Sequence, residues 1–298
     1  MGVRASAANA AHWRASRVRP GEGSQAPNAS VIAEATTSLR AVSVHRDALV
    51  LTSRIWQTTA TALRAGGEAL LIDSPYFPDE LEALPGLLAG AGFEPDGLLA
   101  THADFDHLLG RLSFPGLALG LGQPTVERLH REPGAAQRDL RDHDDEHYVT
   151  RPSALALGQV QGLPVPGRLE LGDEELELHP AEGHTADGTA IFARAMGVLV
   201  VGDYLSDLEI PMISETGSLS EYRATLARLS PLVEAADVVV PGHGSPHDRA
   251  TALRLIEEDA DYLDALDHGD ERPRLPAGRD TKAQWRIHAE NLALTGSS

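Results

Sequence analysis

Apolar positions recur with two periods along this chain. From about Leu39 to Asp73 they come in short runs, "DALVL", "TATAL" and "EALLI", broken at Arg54 and at Gly66-Gly67. Runs of that length between turn residues predict strands. Pro78 then opens a predicted helix in which Leu81, Leu84, Leu87 and Leu88 follow helical spacing, and Gly90 and Gly92 close it. "DGLLAT" predicts the next strand, which runs into a loop beginning at His102. "QPTVERLHRE" and "AAQRDLRDHDDEHY" predict helices. "RLELGDEELELHP" predicts a hairpin turning at Gly172-Asp173, and "TAIFARAMGVLVVGD" a second one turning near Met196-Gly197. Ser218 and Glu221 form a capping box for a helix to about Ala235. "ADVVVPGHG" predicts a strand ending in a turn, "HDRATALRLIEEDADYLDAL" an amphipathic helix, and "TKAQWRIHAENLAL" one more helix. This order predicts a sheet-centred domain with helices outside.

Composition narrows the classes. The 298 residues suit one large domain or two small ones, and 42% apolar residues can fill a substantial core. Against 44 Asp and Glu stand 25 Lys and Arg, a formal net charge of −19. Such acidity argues against nucleic acid as a partner, since phosphates need a basic face. It favours a soluble, cytoplasmic protein acting on a small molecule, with no membrane partner. No apolar run approaches the ~20 residues of a membrane-spanning helix. There is no cysteine, so any metal site must be built from nitrogen and oxygen ligands. Residues 1–37 carry Arg4, Arg14, Arg17 and Arg19 with no acid before Glu22. They read as a disordered tail, with an Arg-rich transit segment as the alternative.

Candidate chemistry concentrates at the ends of predicted strands. "HADFDH" puts His102, Asp104, Asp106 and His107 within six residues, directly after an apolar strand. Three further candidates, His184 in "PAEGHTADG", Asp203 in "VVGDYLS" and His243 in "VVPGHGSP", each follow a glycine. Imidazole and carboxylate together suit Zn, Fe or Mn. A short loop with four such groups cannot turn all of them on one ion but can share them between two adjacent ions. An aspartate from elsewhere, here Asp203, can bridge the pair. Taken singly, His184, Asp203 and His243 read as ordinary turn residues; the 102–107 cluster does not.

The motifs in this order, "HADFDH", "GH", "GDYL" and "PGHG", preceded by "LLIDSP" with Asp73, resemble the metallo-β-lactamase superfamily over roughly residues 40 to 265. The resemblance implies an α+β fold, a four-layer αββα sandwich of two mixed sheets. It divides the chain into a tail (1–37), a metallo-β-lactamase domain (38–268) and a C-terminal extension with a helix (269–298). It implies that His102 and His184 bind one metal, that Asp106, His107 and His243 bind a second, and that Asp203 bridges. Asp104 falls where most members have a second histidine for the first metal. Asp73 falls behind the ligands, holding their loop.

A carboxylate at position 104 hardens the site and tilts it from zinc towards iron or manganese. The flavodiiron reductases vary at the same place, with glutamate. Two divalent ions are therefore expected, zinc first, with iron or manganese left open by Asp104. The function implied is a dinuclear hydrolase in which a metal-bound hydroxide attacks a small ester, thioester or lactone, as in the glyoxalase II-like and lactonase-like branches. The alternative is a diiron redox or oxygen-binding protein. Asp106, Asp203 and Tyr204 are the catalytic candidates. His147, Tyr148 and Tyr204 are the substrate-binding candidates, the first two from "RDLRDHDDEHYVTRP", where many members place substrate-shaping insertions. His247 reads as a surface turn residue. His288, on the last predicted helix, carries no argument linking it to the site.

Overall fold

A computed structural model of the protein describes residues 39–295, so the expected N-terminal tail lies outside the described residues. Among those residues a first sheet runs through β1 (Arg40–His45), β2 (Ala48–Thr52), β3 (Thr59–Ala65), β4 (Glu68–Asp73), β5 (Gly97–Ala100), β6 (Leu119–Gly122) and β7 (Val160–Leu163), which lie side by side in chain order. The pairs are antiparallel from β1 to β4 and parallel from β4 to β7. A second sheet has β8 (Gly167–Leu171), β9 (Glu174–Pro180), β10 (Thr189–Ala193), β11 (Val198–Gly202), β12 (Val238–Pro241) and β13 (His247–Asp248). There only β11 and β12 run parallel. The helices are α1 (Pro78–Gly90), α2 (Gly110–Ser113), α3 (Gln123–Arg131), α4 (Ala135–Glu146), α5 (Leu219–Ala235), α6 (Arg249–Asp267) and α7 (Lys282–Thr295).

Strand periodicity sorts the apolar side chains into three layers. On β2 the side chains of Leu49 and Leu51 go outward to pack with α1 and α4, while Val50 goes inward between the sheets. Leu71 and Leu98 face out, and Leu70, Ile72 and Leu99 face in. In the second sheet Leu199 and Val201 meet α5 and α6, while Val198 and Val200 face the other sheet. Both faces of the central strands are covered, which is why these strands read as unbroken apolar runs. The result is the expected sandwich of two mixed sheets between helical layers.

The predicted elements are present, and Ser218 caps α5 by accepting from the Glu221 amide. Three strands were not anticipated. β6 and β7 read "LGLG" and "VQGL", too short and glycine-rich to stand out. β13 includes His247, which is buried opposite Val239 and not on a surface turn. The described residues after 268 are built into the fold. Arg279, 1% exposed, reaches Asp259 on α6, while on α7 His288 meets Tyr262 and Asn291 donates to the Tyr262 hydroxyl.

The sheets meet along one rim. Thr59 donates its amide to the Gly242 carbonyl at 2.8 Å and its hydroxyl to that of Pro241 at 2.6 Å. Thr189 donates to the Thr101 carbonyl at 2.8 Å. The C-terminal ends of β4, β5, β11 and β12 converge at that rim, the place where sheet-centred folds set their sites.

Candidate metal centre

Beyond β5 the chain makes one 3-10 turn, Phe105–His107, entered through an extended Asp104. The turn places Asp106 and His107 on one side of the loop and leaves His102 and Asp104 nearer the His184 loop. β11 ends at Gly202, whose φ of +62° turns the chain so that Asp203 faces the rim. A Cβ on Gly242 would collide with the Asp203 carboxylate, so the backbone before His243 can pass there only as glycine.

Two ligand groups result: His102, His184 and Asp203, and Asp106, His107 and His243. Asp203 lies between them. Its Oδ1 is 3.1 Å from His107 Nε2, and its Oδ2 is 3.6, 3.3 and 3.4 Å from Nε2 of His102, His184 and His243. Asp106 Oδ2 is 3.6 Å from His107 Nε2 and 3.4 Å from His243 Nε2. Asp104 Oδ2 is 3.6 Å from His102 Nε2 and 3.4 Å from His184 Nε2, facing the first group from its edge.

Each imidazole has a polar group behind it. His184 Nδ1 donates to the Met212 carbonyl at 2.9 Å. His243 Nδ1 is 3.4 Å from the Thr58 hydroxyl, and His107 Nδ1 is 3.1 Å from Asp73. Thr101 Oγ1 donates to Asp73, a pure acceptor when ionised, so it accepts from His102 Nδ1 at 3.0 Å. The Nε2 atoms of His102, His107 and His184, with Asp203 Oδ1, are buried without any hydrogen-bond partner. Buried polar atoms are rarely orphaned, and these four point at one another. A set of imidazole nitrogens and carboxylate oxygens so arranged fits divalent Zn, Fe or Mn.

The electrostatics agree. Burial alone would lower the pKa of His243, but the Asp203, Glu209 and Asp106 carboxylates push it up to about 10. Asp203, Asp106 and Asp73 raise His107, and Asp104 and Asp203 raise His184, both well above the usual range and against burial. The cluster favours positive charge at its centre.

The seven expected metal residues, His102, Asp104, Asp106, His107, His184, Asp203 and His243, thus come together. The expected pocket residues do not. Tyr204 lies in the core of the second sheet, where its hydroxyl accepts the His184 amide at 3.0 Å and donates to the Ala181 carbonyl at 3.1 Å. Asp203 faces the rim, and Tyr204, next along the chain, turns to the opposite side. Tyr148 is 96% exposed, in a left-handed conformation past the end of α4. His147 packs edge-on against Trp56 at 5.6 Å rather than facing the ligands. The cavity over the metal centre, about 470 Å³, is lined instead by Trp56, Phe105, His143, Glu209, Met212 and Ile287, among others. His143 and Glu146, one helical turn apart on α4, do reach it. Thr101, Arg128 and the α7 wall carried no signal in the sequence beyond, for Thr101, its place beside His102.

Residues 54–243 match the metallo-β-lactamase superfamily, and the chain belongs to that family. No curated protein sequence matches it. Among solved structures it is similar to a metallo-β-lactamase family protein from Thermus thermophilus, at 21% identity and a TM-score of 0.59, over 75% of this chain and 81% of that one. It is similar to the metallo-β-lactamase from Pontibacter korlensis at 18% identity and 0.51, over 74% and 99%. The stereoselective inverting sec-alkylsulfatase Pisa1 from Pseudomonas sp. aligns at 13% identity and 0.67, over 87% of this chain but half of its own. At these identities the likeness is one of fold. No helix among the described residues is long and apolar enough to cross a membrane.

Proposed function

We propose that the protein is a dinuclear metal-dependent hydrolase acting on a small ester, thioester or lactone. The observation that carries this reading is the convergence of orphaned Nε2 atoms on the Asp203 carboxylate between two ligand groups. When bound, a pair of divalent ions supplies an acidified water and polarises the scissile carbonyl. The chain supplies the rest. Asp203 spaces the two groups, Asp106 and His243 hold the second position, and Trp56, Phe105 and Met212 offer an apolar wall for the acyl part. Zinc is the ion proposed first.

Asp104 supports a second reading, a diiron redox or oxygen-binding protein, because a carboxylate facing His102 and His184 favours a harder ion. One experiment separates them. Protein purified without added metal or chelator, from cells supplied with both zinc and iron, is analysed for metal and then assayed on esters, thioesters, lactones and phosphoesters. Two zincs and turnover of an acyl substrate uphold the hydrolase. Two irons with oxygen consumption uphold the alternative. Metal-replete protein inert on the whole panel overturns the hydrolase reading.

A further inference from the structure

Arg128, on α3, reaches the metal centre from outside the ligand motif. Its Nη1 is 2.8 Å from Asp104 Oδ1 and 2.8 Å from Asp187 Oδ1. Asp187 is buried, and its other oxygen accepts the Ala103 amide at 2.9 Å. Asp187 also follows His184 by three residues. One guanidinium therefore ties the loop of His102 and Asp104 to the loop of His184, and those two loops supply three of the groups around the first metal position. Among the described residues nothing comparable crosses the second position, whose histidines have Asp73 and Thr58 behind them.

We propose that Arg128 and Asp104 act as one unit at the first metal position, with Arg128 the positioning residue and Asp104 a ligand through Oδ2 alone. The inference rests on the metal reading of the centre. Arg128 occupies Oδ1, so only Oδ2 is left facing His102 and His184. Nη1 alone bridges Asp104 Oδ1 and Asp187 Oδ1, so Asp104 is tied to a buried partner that a free aspartate on a surface loop lacks. The positive charge also offsets the anion that replaces a neutral imidazole. This explains how an aspartate can stand where the family has histidine: the exchange involves two residues. A histidine at 104 would set a neutral ring against a guanidinium that Asp187 still holds in place, so Asp104→His alone is expected to weaken the first position.

The test measures metal, not turnover. Metal-stripped native protein and the variants Arg128→Met, Arg128→Lys, Asp104→His and Asp104→His/Arg128→Met are titrated with zinc against a chromophoric chelator. Melting of each stripped protein checks that it folds. Native protein is expected to take two ions. Arg128→Met should lose about 10- to 100-fold in affinity for one ion and keep the other, the usual effect of removing a partner behind a metal ligand. Arg128→Lys, which keeps the charge, should lose less. Asp104→His should weaken one ion, and adding Arg128→Met should restore it. If native protein takes two ions and Arg128→Met and Arg128→Lys take both with native affinity, the unit is overturned and the metal reading stands. Equal binding by Asp104→His with and without Arg128 also overturns it. Native protein that takes no ion overturns both.

Discussion

Asp73 Oδ2 stands 3.1 Å from His107 Nδ1, and the same carboxylate takes the amide and the hydroxyl of Thr101. Through Thr101 it also orients His102, so one buried aspartate steers an imidazole in each ligand group. Its φ of +59° is a conformation that aspartate adopts at a cost, at the end of β4 where the side chain must turn back under the loop. Asp73→Asn keeps the shape but turns one acceptor oxygen into a donor. Both metal positions should weaken together, each by about 10- to 100-fold. Zinc titration against a chelator reads this. Native affinity at both positions in a folded Asp73→Asn protein would reduce the carboxylate to a turn-holding role.

Tyr204 offers a cleaner contrast. Its hydroxyl satisfies the His184 amide and the Ala181 carbonyl inside the core. Tyr204→Phe strands both backbone groups, at a cost of about 1–3 kcal/mol. The variant should melt lower, with KM unchanged for whatever substrate the native protein hydrolyses. A raised KM with native stability would instead place the hydroxyl on the substrate.

These two residues show where the sequence is informative. Asp73 could be located because it ends an apolar run before the ligand loop. The ligands could be found because four of them crowd into six positions and each of the others follows a glycine. Tyr204 could not be placed, because its direction depends on the φ of Gly202, a number no residue pattern carries. Arg128 sits in a polar helix among other charges and meets Asp104 only through the packing of α3 on β7 and β6. Likewise β6 and β7 owe their strand form to parallel neighbours rather than to "LGLG" and "VQGL".

The C-terminal helix gives a third expectation. Asn291, fully buried on α7, accepts the Ile213 amide and donates to the Pro211 carbonyl and the Tyr262 hydroxyl. Gln284 accepts the Ile210 amide, and Arg279 donates to the Glu209 carbonyl. Between these anchors lies Met212, whose carbonyl holds His184. Asn291→Ala should therefore cost about 2 kcal/mol or more and loosen the 205–213 loop. Hydrogen exchange is expected to speed up across that loop, with the first metal position weakened. Unchanged exchange there would limit α7 to covering the core.

Protein stripped of metal should lose stability in alkali. In the metal-free protein His243 is pushed up to about 10, and His107 and His184 are raised in the same direction by the facing carboxylates. A histidine raised above its unfolded value of about 6.5 contributes stability that is complete below that pH. The contribution is lost as pH rises through the folded value, here from about 6.5 to about 10. Chelator-stripped protein should thus melt at progressively lower temperature over that window. Metal-loaded protein, with the imidazoles neutral as ligands, should not share this decline. At pH 7 each ion must displace protons to bind, so loading in weak buffer should release acid, and release should fade towards pH 10. Calorimetric scans of both forms across the window, with a pH-stat during loading, measure the two effects. Stripped protein whose melting temperature stays level from pH 6.5 to 10 would show that the imidazoles are neutral without metal.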